Sequence, residues 1–327
     1  MKNKARRKSG RTIVKIIAII LLAFIILPYL IPLSVPAFDH QTPFENSHFV
    51  TIDGVTFHYR IDRPEDKTIT GKVLLVHGLA GSTFSFQALA PRLAEQGFFV
   101  LSLDLPGFGY SDRPLDYDHS QQNRARDIWR VLRSIDEELS GKIASDGWHL
   151  AGHSMGGGSI VAMSLEESNR TKSLVLIDPA LTDRSQNSFI ATLPPMSQWF
   201  QVAIEHWLLT ESNITRFLGS AYGREPTPEE VEGYLAPLRL PGTARSLSSM
   251  FKTSKSEDLE NTRDMPAPIL AIWGENDTWV PLSELDPLLA VRDDVKVEII
   301  EGAGHCPMET HTDATLDVMT AWLLRFP

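Results

Sequence analysis

The sequence predicts an α/β fold: a mainly parallel eight-stranded sheet flanked by helices, with a helical cap insertion and an N-terminal transmembrane helix. Three observations predict it. Short continuous apolar runs, as expected of parallel strands buried on both faces, alternate with segments of helical spacing. About ninety residues without a strand pattern separate the last two runs from the earlier ones. An apolar segment of 21 positions, Ile13–Leu33, follows a strongly basic head.

The head comes first. Residues 1–15 hold seven of the 31 Lys/Arg and no acidic residue, which leaves the remainder with 24 basic against 41 acidic side chains. So acidic a body argues against nucleic acid as a partner, because phosphate binding needs a basic face. As a helix, Ile13–Leu33 is roughly 31 Å long, about the thickness of a bilayer's hydrocarbon core. Pro28 and Pro32 lie near its far end, and Tyr29 suits the interface. Lys/Arg ahead of the segment favour a cytoplasmic N-terminus. Residues 1–37 therefore read as an uncleaved single-pass membrane anchor, with the body on the extracytoplasmic side. A cleaved secretory signal is the alternative; Val35-Pro36-Ala37 offers small residues, while Pro36 and the long apolar run count against it. Residues 38–46 read as a tether. One cysteine, Cys306, rules out an intrachain disulfide.

In the body, 43% hydrophobic and 22% charged content over the 327-residue chain imply a sizeable core. Phe49–Ile52 and Val55–Tyr59 alternate around Asp53-Gly54, a two-residue hairpin signal. Strands follow at Lys72–His77, Phe98–Leu103, Trp148–Gly152, Leu174–Asp178, Ile269–Trp273 and Val295–Ile300. Helical spacing marks Phe84–Gln96, stopped by Gly97, then Gln121–Leu139, Met155–Glu167 and about Asp313–Leu324. The sheet and its helices thus occupy residues 47–180 and 265–327. Residues 181–264 carry Phe200, Ile204, Trp207 and Leu208 at helical spacing and a helix-start signal at Thr227-Pro228-Glu229-Glu230. That is too long for a structureless loop, so the segment reads as a helical cap over the sheet's C-terminal edge.

The chemistry centres on Gly152-His153-Ser154-Met155-Gly156, set between a strand and a helix. So tight a turn requires glycine two residues before and two after the serine, and it projects the hydroxyl above the sheet edge. The helix that starts there aims its amides at the same spot, which suits developing negative charge. Serine needs a base within hydrogen-bond reach, and that base needs an acid to orient it. Gly274-Glu275-Asn276-Asp277 and Gly302-Ala303-Gly304-His305 each follow a strand, so Ser154, Asp277 and His305 lie at strand ends in the order serine, acid, histidine. Asp178 also follows a strand and is the rival acid. His77 and His153 read as loop-holding residues and Cys306 as a loop thiol. Sequons stand at Asn169, Asn213 and Asn276. No zinc-type spacing, phosphate-binding loop or dinucleotide glycine pattern occurs, so no cofactor or metal is expected.

Over residues 47–327 the chain resembles the α/β-hydrolase fold family, through His77-Gly78, Asp104-Leu105-Pro106-Gly107-Phe108-Gly109-Tyr110-Ser111, Gly152-His153-Ser154-Met155-Gly156-Gly157, Gly274-Glu275-Asn276-Asp277 and Gly304-His305. The resemblance implies that Ser154 attacks, His305 shuttles its proton and Asp277 fixes the imidazole tautomer. It also implies an oxyanion hole made by the backbone N–H of Met155 and that of Leu79, with Ala80 as the alternative to Leu79. Serine at the turn disfavours dehalogenase and epoxide-hydrolase chemistry, for which relatives use aspartate there. The expected activity is hydrolysis of carboxylic esters through an acyl-enzyme, with small-molecule or lipid-derived esters as substrate. Carbon–carbon bond hydrolysis, with Arg216, Arg224, Arg239 and Arg245 to attract an acidic substrate, acyl transfer, amide cleavage and a non-catalytic ligand-binding role are the alternatives.

Overall fold

Eight strands form one sheet: β1 (Ser47–Ile52), β2 (Val55–Asp62), β3 (Gly71–Val76), β4 (Phe98–Leu103), β5 (Trp148–His153), β6 (Thr171–Ile177), β7 (Ile269–Gly274) and β8 (Lys296–Ile300). They are seen in a computed structural model that describes residues 2–36, 42–65, 69–139, 147–182 and 193–326, with side chains from residue 12 onward. The last residue of the expected anchor (37) and parts of the expected tether (38–41) and of the expected cap (183–192) lie outside the described residues. The spatial order is β1-β2-β4-β3-β5-β6-β7-β8. β2 pairs antiparallel with β1 and β4, and every other pairing is parallel.

Among the described residues the helices of seven residues or more are α1 (Lys2–Leu30), α2 (Leu89–Glu95), α3 (Gln121–Glu138), α4 (Met155–Glu166), α5 (Met196–Ala203), α6 (Glu211–Tyr222), α7 (Pro228–Leu238), α8 (Thr243–Thr253) and α9 (Thr312–Leu323). Because strand side chains alternate, each central strand feeds two cores. Leu74 and Val76 of β3 join Ile128, Trp129 and Leu132 of α3 on one face. Val73 and Leu75 join Leu89 and Leu93 of α2 and Met319 and Leu323 of α9 on the other. The outermost strands, β1 and β8, are the most exposed.

One expected helix differs. Phe84–Gln96 is a short 3₁₀ turn at Thr83–Phe86, capped by the Ser82 side chain, followed by α2. Pro91 explains the break: it has no N–H to offer the carbonyl of Gln87, and its ring crowds that turn.

Between β6 and β7 the described residues hold four helices, α5 to α8, and α7 opens with the Thr227–Glu230 capping box that the sequence signals. Phe217, Leu218 and Ala221 of α6 and Tyr234 of α7 face a cavity shared with Ser154 at the end of β5. The insertion therefore stands over the C-terminal edge of the sheet. Within α1, Thr12–Leu30 is long and apolar enough to cross a membrane, and only 6% of it is buried.

Candidate active site

The turn after β5 is as tight as its glycines require. Ser154 has φ +50° and ψ −118°, a strained conformation for a residue with a side chain. A Cβ on Gly152 would come within 2.4 Å of the Gly156 carbonyl oxygen, and one on Gly156 within 2.4 Å of the Val76 carbonyl oxygen. Both obstacles are backbone, so neither can move aside. The Ser154 N–H donates to Ile177 O (2.9 Å), and the Ser154 carbonyl accepts from the amides of Gly157 (2.9 Å) and Ala180 (3.0 Å). β6 thus holds the turn in its strained shape.

Asp277 and His305 arrive from the loops after β7 and β8. His305 Nδ1–H donates to Asp277 Oδ2 at 2.7 Å, while Asp277 Oδ1 accepts from the amides of Trp279 (2.7 Å) and Val280 (3.0 Å). Burial works to raise the Asp277 carboxyl, but the hydrogen bond and charge of His305, with the two amides, outweigh it and hold it below the usual range. Trp279 stacks on the His305 ring at 5.4 Å, and the His305 amide donates to Ala221 O (2.7 Å) at the end of α6. Ser154 and His305 line one cavity of about 200 Å³, together with Leu79, Phe217, Trp279 and Val280. Among the described residues no hydrogen bond joins the Ser154 hydroxyl to His305. Catalytic hydrogen bonds commonly tighten only once substrate is bound.

The amides of Met155 and Leu79 donate to no other group among the described residues. Leu79 lines the cavity, whereas Ala80, in a left-handed conformation at φ +61°, does not.

Asp178, the rival acid, is fully buried at φ +41°. Its Oδ1 accepts from the Gly274 amide at 2.9 Å, and its Oδ2 has no hydrogen-bond partner among the described residues. Burial, opposed by the Gly274 amide and reinforced by Asp277, pushes its carboxyl well above the usual range. Ligand-type atoms of Asp178, Asp277 and His305 lie within 4.8 Å of one another, close enough for a metal ion. The facing atoms of His305 and Asp277 are, however, already bonded to each other.

The neighbouring histidines hold loops. His77 Nε2 accepts from the Leu105 amide (3.1 Å), and its Nδ1–H donates to Gly78 O (2.7 Å). His153 Nε2–H donates to His305 O (2.8 Å); burial, then the adjacent His305, lowers its pKa to about 3. Burial pushes the Cys306 thiol well above its usual range, which makes it a poor nucleophile. None of Arg216, Arg224, Arg239 and Arg245 lines the cavity.

A cluster with no sequence signal sits beside the cavity. Glu309 accepts from the hydroxyls of Tyr222 and Tyr234, each at 2.6 Å, and Tyr234 also meets Ser85 (2.9 Å). Burial, partly offset by the two tyrosine hydroxyls, pushes Glu309 up to about 7. An unfolded glutamate titrates near 4.5. Between those values the folded chain binds more protons than the unfolded one, so stability present below about pH 4.5 is lost as pH rises through about 7. The loss is on the order of 3 kcal/mol. Glu309→Gln is expected to flatten that decline, read as the difference in Tm between about pH 5 and pH 8.

A strained serine at a strand-to-helix turn thus shares one cavity with a histidine that is bonded to an aspartate, on a mainly parallel sheet. The chain belongs to the alpha/beta hydrolase family, whose model matches residues 73–318. It is 29% identical over 237 residues to the uncharacterized hydrolase YugF of Bacillus subtilis (strain 168), covering 71% of this chain and 81% of that one. It is 26% identical over 261 residues to Lipase 1 of Psychrobacter immobilis, covering 77% of each. Its fold matches the crystal structure of a membrane phospholipase A, a bacterial virulence factor, with a TM-score of 0.67 and 21% identity, covering 97% of this chain and 98% of that one. The protein is an enzyme of hydrolase type.

Proposed function

We propose that the protein is a membrane-anchored serine hydrolase of carboxylic esters, with lipid-derived esters as its foremost substrates. The observation that carries this is the shared cavity of Ser154 and His305, with Asp277 ionised behind the imidazole. Ser154 Oγ attacks the ester carbonyl as His305 Nε2 takes its proton. The oxyanion of the tetrahedral intermediate accepts from the amides of Met155 and Leu79; losing one such donor costs roughly 10²–10³ in turnover. Collapse expels the alcohol, which leaves with the proton from His305, and an acyl-enzyme remains. Water then attacks the acyl-enzyme with His305 as base, and Ser154 is regenerated.

Leu79, Phe217, Leu218, Trp279 and Val280 line the cavity with apolar surface suited to an acyl chain. The relatives named as a lipase and a membrane phospholipase point the same way. On this reading residues 1–37 are the anchor with a cytoplasmic N-terminus, 38–46 the tether, 47–180 and 265–327 the extracytoplasmic catalytic core, and 181–264 the cap. The test is hydrolysis of an ester series of rising acyl length, in detergent and in vesicles, by the full chain and by a form lacking residues 1–40. Turnover is expected to rise with acyl length, and the full chain to gain on vesicle-borne substrate. Indifference to both removes the lipid assignment.

A further inference from the structure

Proline has no N–H, so Pro28 leaves the carbonyl of Phe24 in α1 without its helical donor, and Pro32 does the same for Pro28. Both carbonyls are met from α5 instead. Trp199 Nε1–H donates to Phe24 O at 2.9 Å, and Gln198 Nε2 donates to Pro28 O at 3.4 Å. The Trp199 ring stacks on Phe24 (5.8 Å) and on Trp207 (6.3 Å). Nearer the exit from α1 the partners turn polar. His206 Nε2–H donates to Pro32 O (3.0 Å), and Glu205 Oε1 accepts from the Ser34 amide (2.5 Å).

The contacts are therefore sorted along the helix axis, with indoles level with Phe24 and ionisable groups level with Pro32 and Ser34. Phe24 lies six residues inside Leu30, roughly 9 Å along the helix. A bilayer imposes the same order, with aromatic rings at the acyl boundary and charged groups further out. Beside them large apolar side chains stand exposed: Trp207 is 56% exposed, Leu208 46% and Met196 40%.

We propose that the edge formed by Met196, Trp199, Trp207 and Leu208 is a lipid-contacting surface, seated in the leaflet from which α1 emerges. It rests on the reading of α1 as a membrane-spanning helix and is continuous with it through Trp199. A carbonyl without a donor is costly in hydrocarbon, so the two prolines act as a key that holds this edge against the anchor. From the same edge α6 leads to the cavity. Asn213, in its first turn, donates to the carbonyls of Trp207 (3.3 Å) and Leu208 (3.0 Å), and Phe217 and Leu218, further along, face Ser154 across the cavity. Leu208 lies three residues before α6 begins, and Phe217 is roughly 9 Å along that helix from Glu211, a short distance for an acyl chain leaving the leaflet.

The test uses the full chain in vesicles of phosphatidylethanolamine and phosphatidylglycerol, with a nitroxide on one introduced cysteine at a time: Leu208→Cys, Ile20→Cys or Asn261→Cys. Cys306 is buried and does not compete for the label. Relaxation by oxygen reports lipid, and relaxation by a nickel chelate reports water. The label at 208 is expected to favour oxygen over the chelate several-fold more than the label at 261, approaching the label at 20. A label at 208 that matches 261 while 20 reports lipid overturns the proposed surface and leaves the anchor standing. A label at 20 that matches 261 overturns the spanning reading and the surface with it.

Discussion

Ser154→Ala is expected to lower ester turnover by roughly 10⁴–10⁶ while leaving the fold intact. The hydroxyl is the one group in the cavity that our reading asks to form a bond to carbon, and a methyl cannot replace it. Hydrolysis that remains would come from the Met155 and Leu79 amides and from substrate binding. Stability should barely change. The strain at φ +50° belongs to the backbone and is the same for alanine, and the hydrogen bonds that hold the turn are made by the Ser154 N–H and C=O. Two measurements check this: turnover against the ester series beside Tm, and covalent labelling by a fluorophosphonate probe, which should mark the native chain and not the variant. Turnover within tenfold of native, in a variant that melts normally, would remove the acyl-enzyme from the mechanism. Absence of labelling in the native, folded chain would favour a binding role.

What the sequence made legible follows from how local each signal is. Gly152 and Gly156 answer to steric demands within a few residues of Ser154, so the turn can be read without any tertiary knowledge, and the obstructing carbonyls of Gly156 and Val76 bear this out. The strands were equally legible, because burial on both faces leaves runs such as Val73–Val76 with no polar residue. Groups whose character depends on distant neighbours were not. Glu309 is one acid in a Pro-Met-Glu-Thr turn, and only the arrival of Tyr222 and Tyr234 from the inserted helices makes it a buried, perturbed carboxyl. Trp199 carries no mark of its partner, since its role follows from a carbonyl left open by Pro28 far away in the chain. The continuous helix expected at Phe84–Gln96 failed for a local reason that the pattern of apolar positions hides, the missing N–H of Pro91.

The sequence left two candidates for the acid, and their surroundings lead to opposite expectations for the same substitution. Asp277→Asn should cost roughly 10⁴ in kcat, the size of effect seen when an orienting aspartate is replaced and the histidine takes the wrong tautomer. Asp277 has three donors directed at it, His305 Nδ1–H and the Trp279 and Val280 amides, and they hold it ionised. Asp178→Asn should cost less than about tenfold. Asp178 is fully buried, accepts one amide from Gly274, and has its carboxyl pushed well above the usual range toward the neutral form, whose charge, shape and acceptor the side-chain amide reproduces. Two buried carboxyls within 4.8 Å of each other cannot both ionise cheaply, and the proton falls to the one with fewer donors. The pH profile separates the two cases. Because Asp277 titrates below the usual range, no acid limb from it should appear near neutral pH in the native enzyme, and none should appear in Asp178→Asn. Asp178→Ala, which removes the acceptor for the Gly274 amide, is the contrasting variant: it should lower Tm where Asp178→Asn does not. If Asp178→Asn instead matched Asp277→Asn in lost turnover, the ionised acid would have to be assigned to the end of β6.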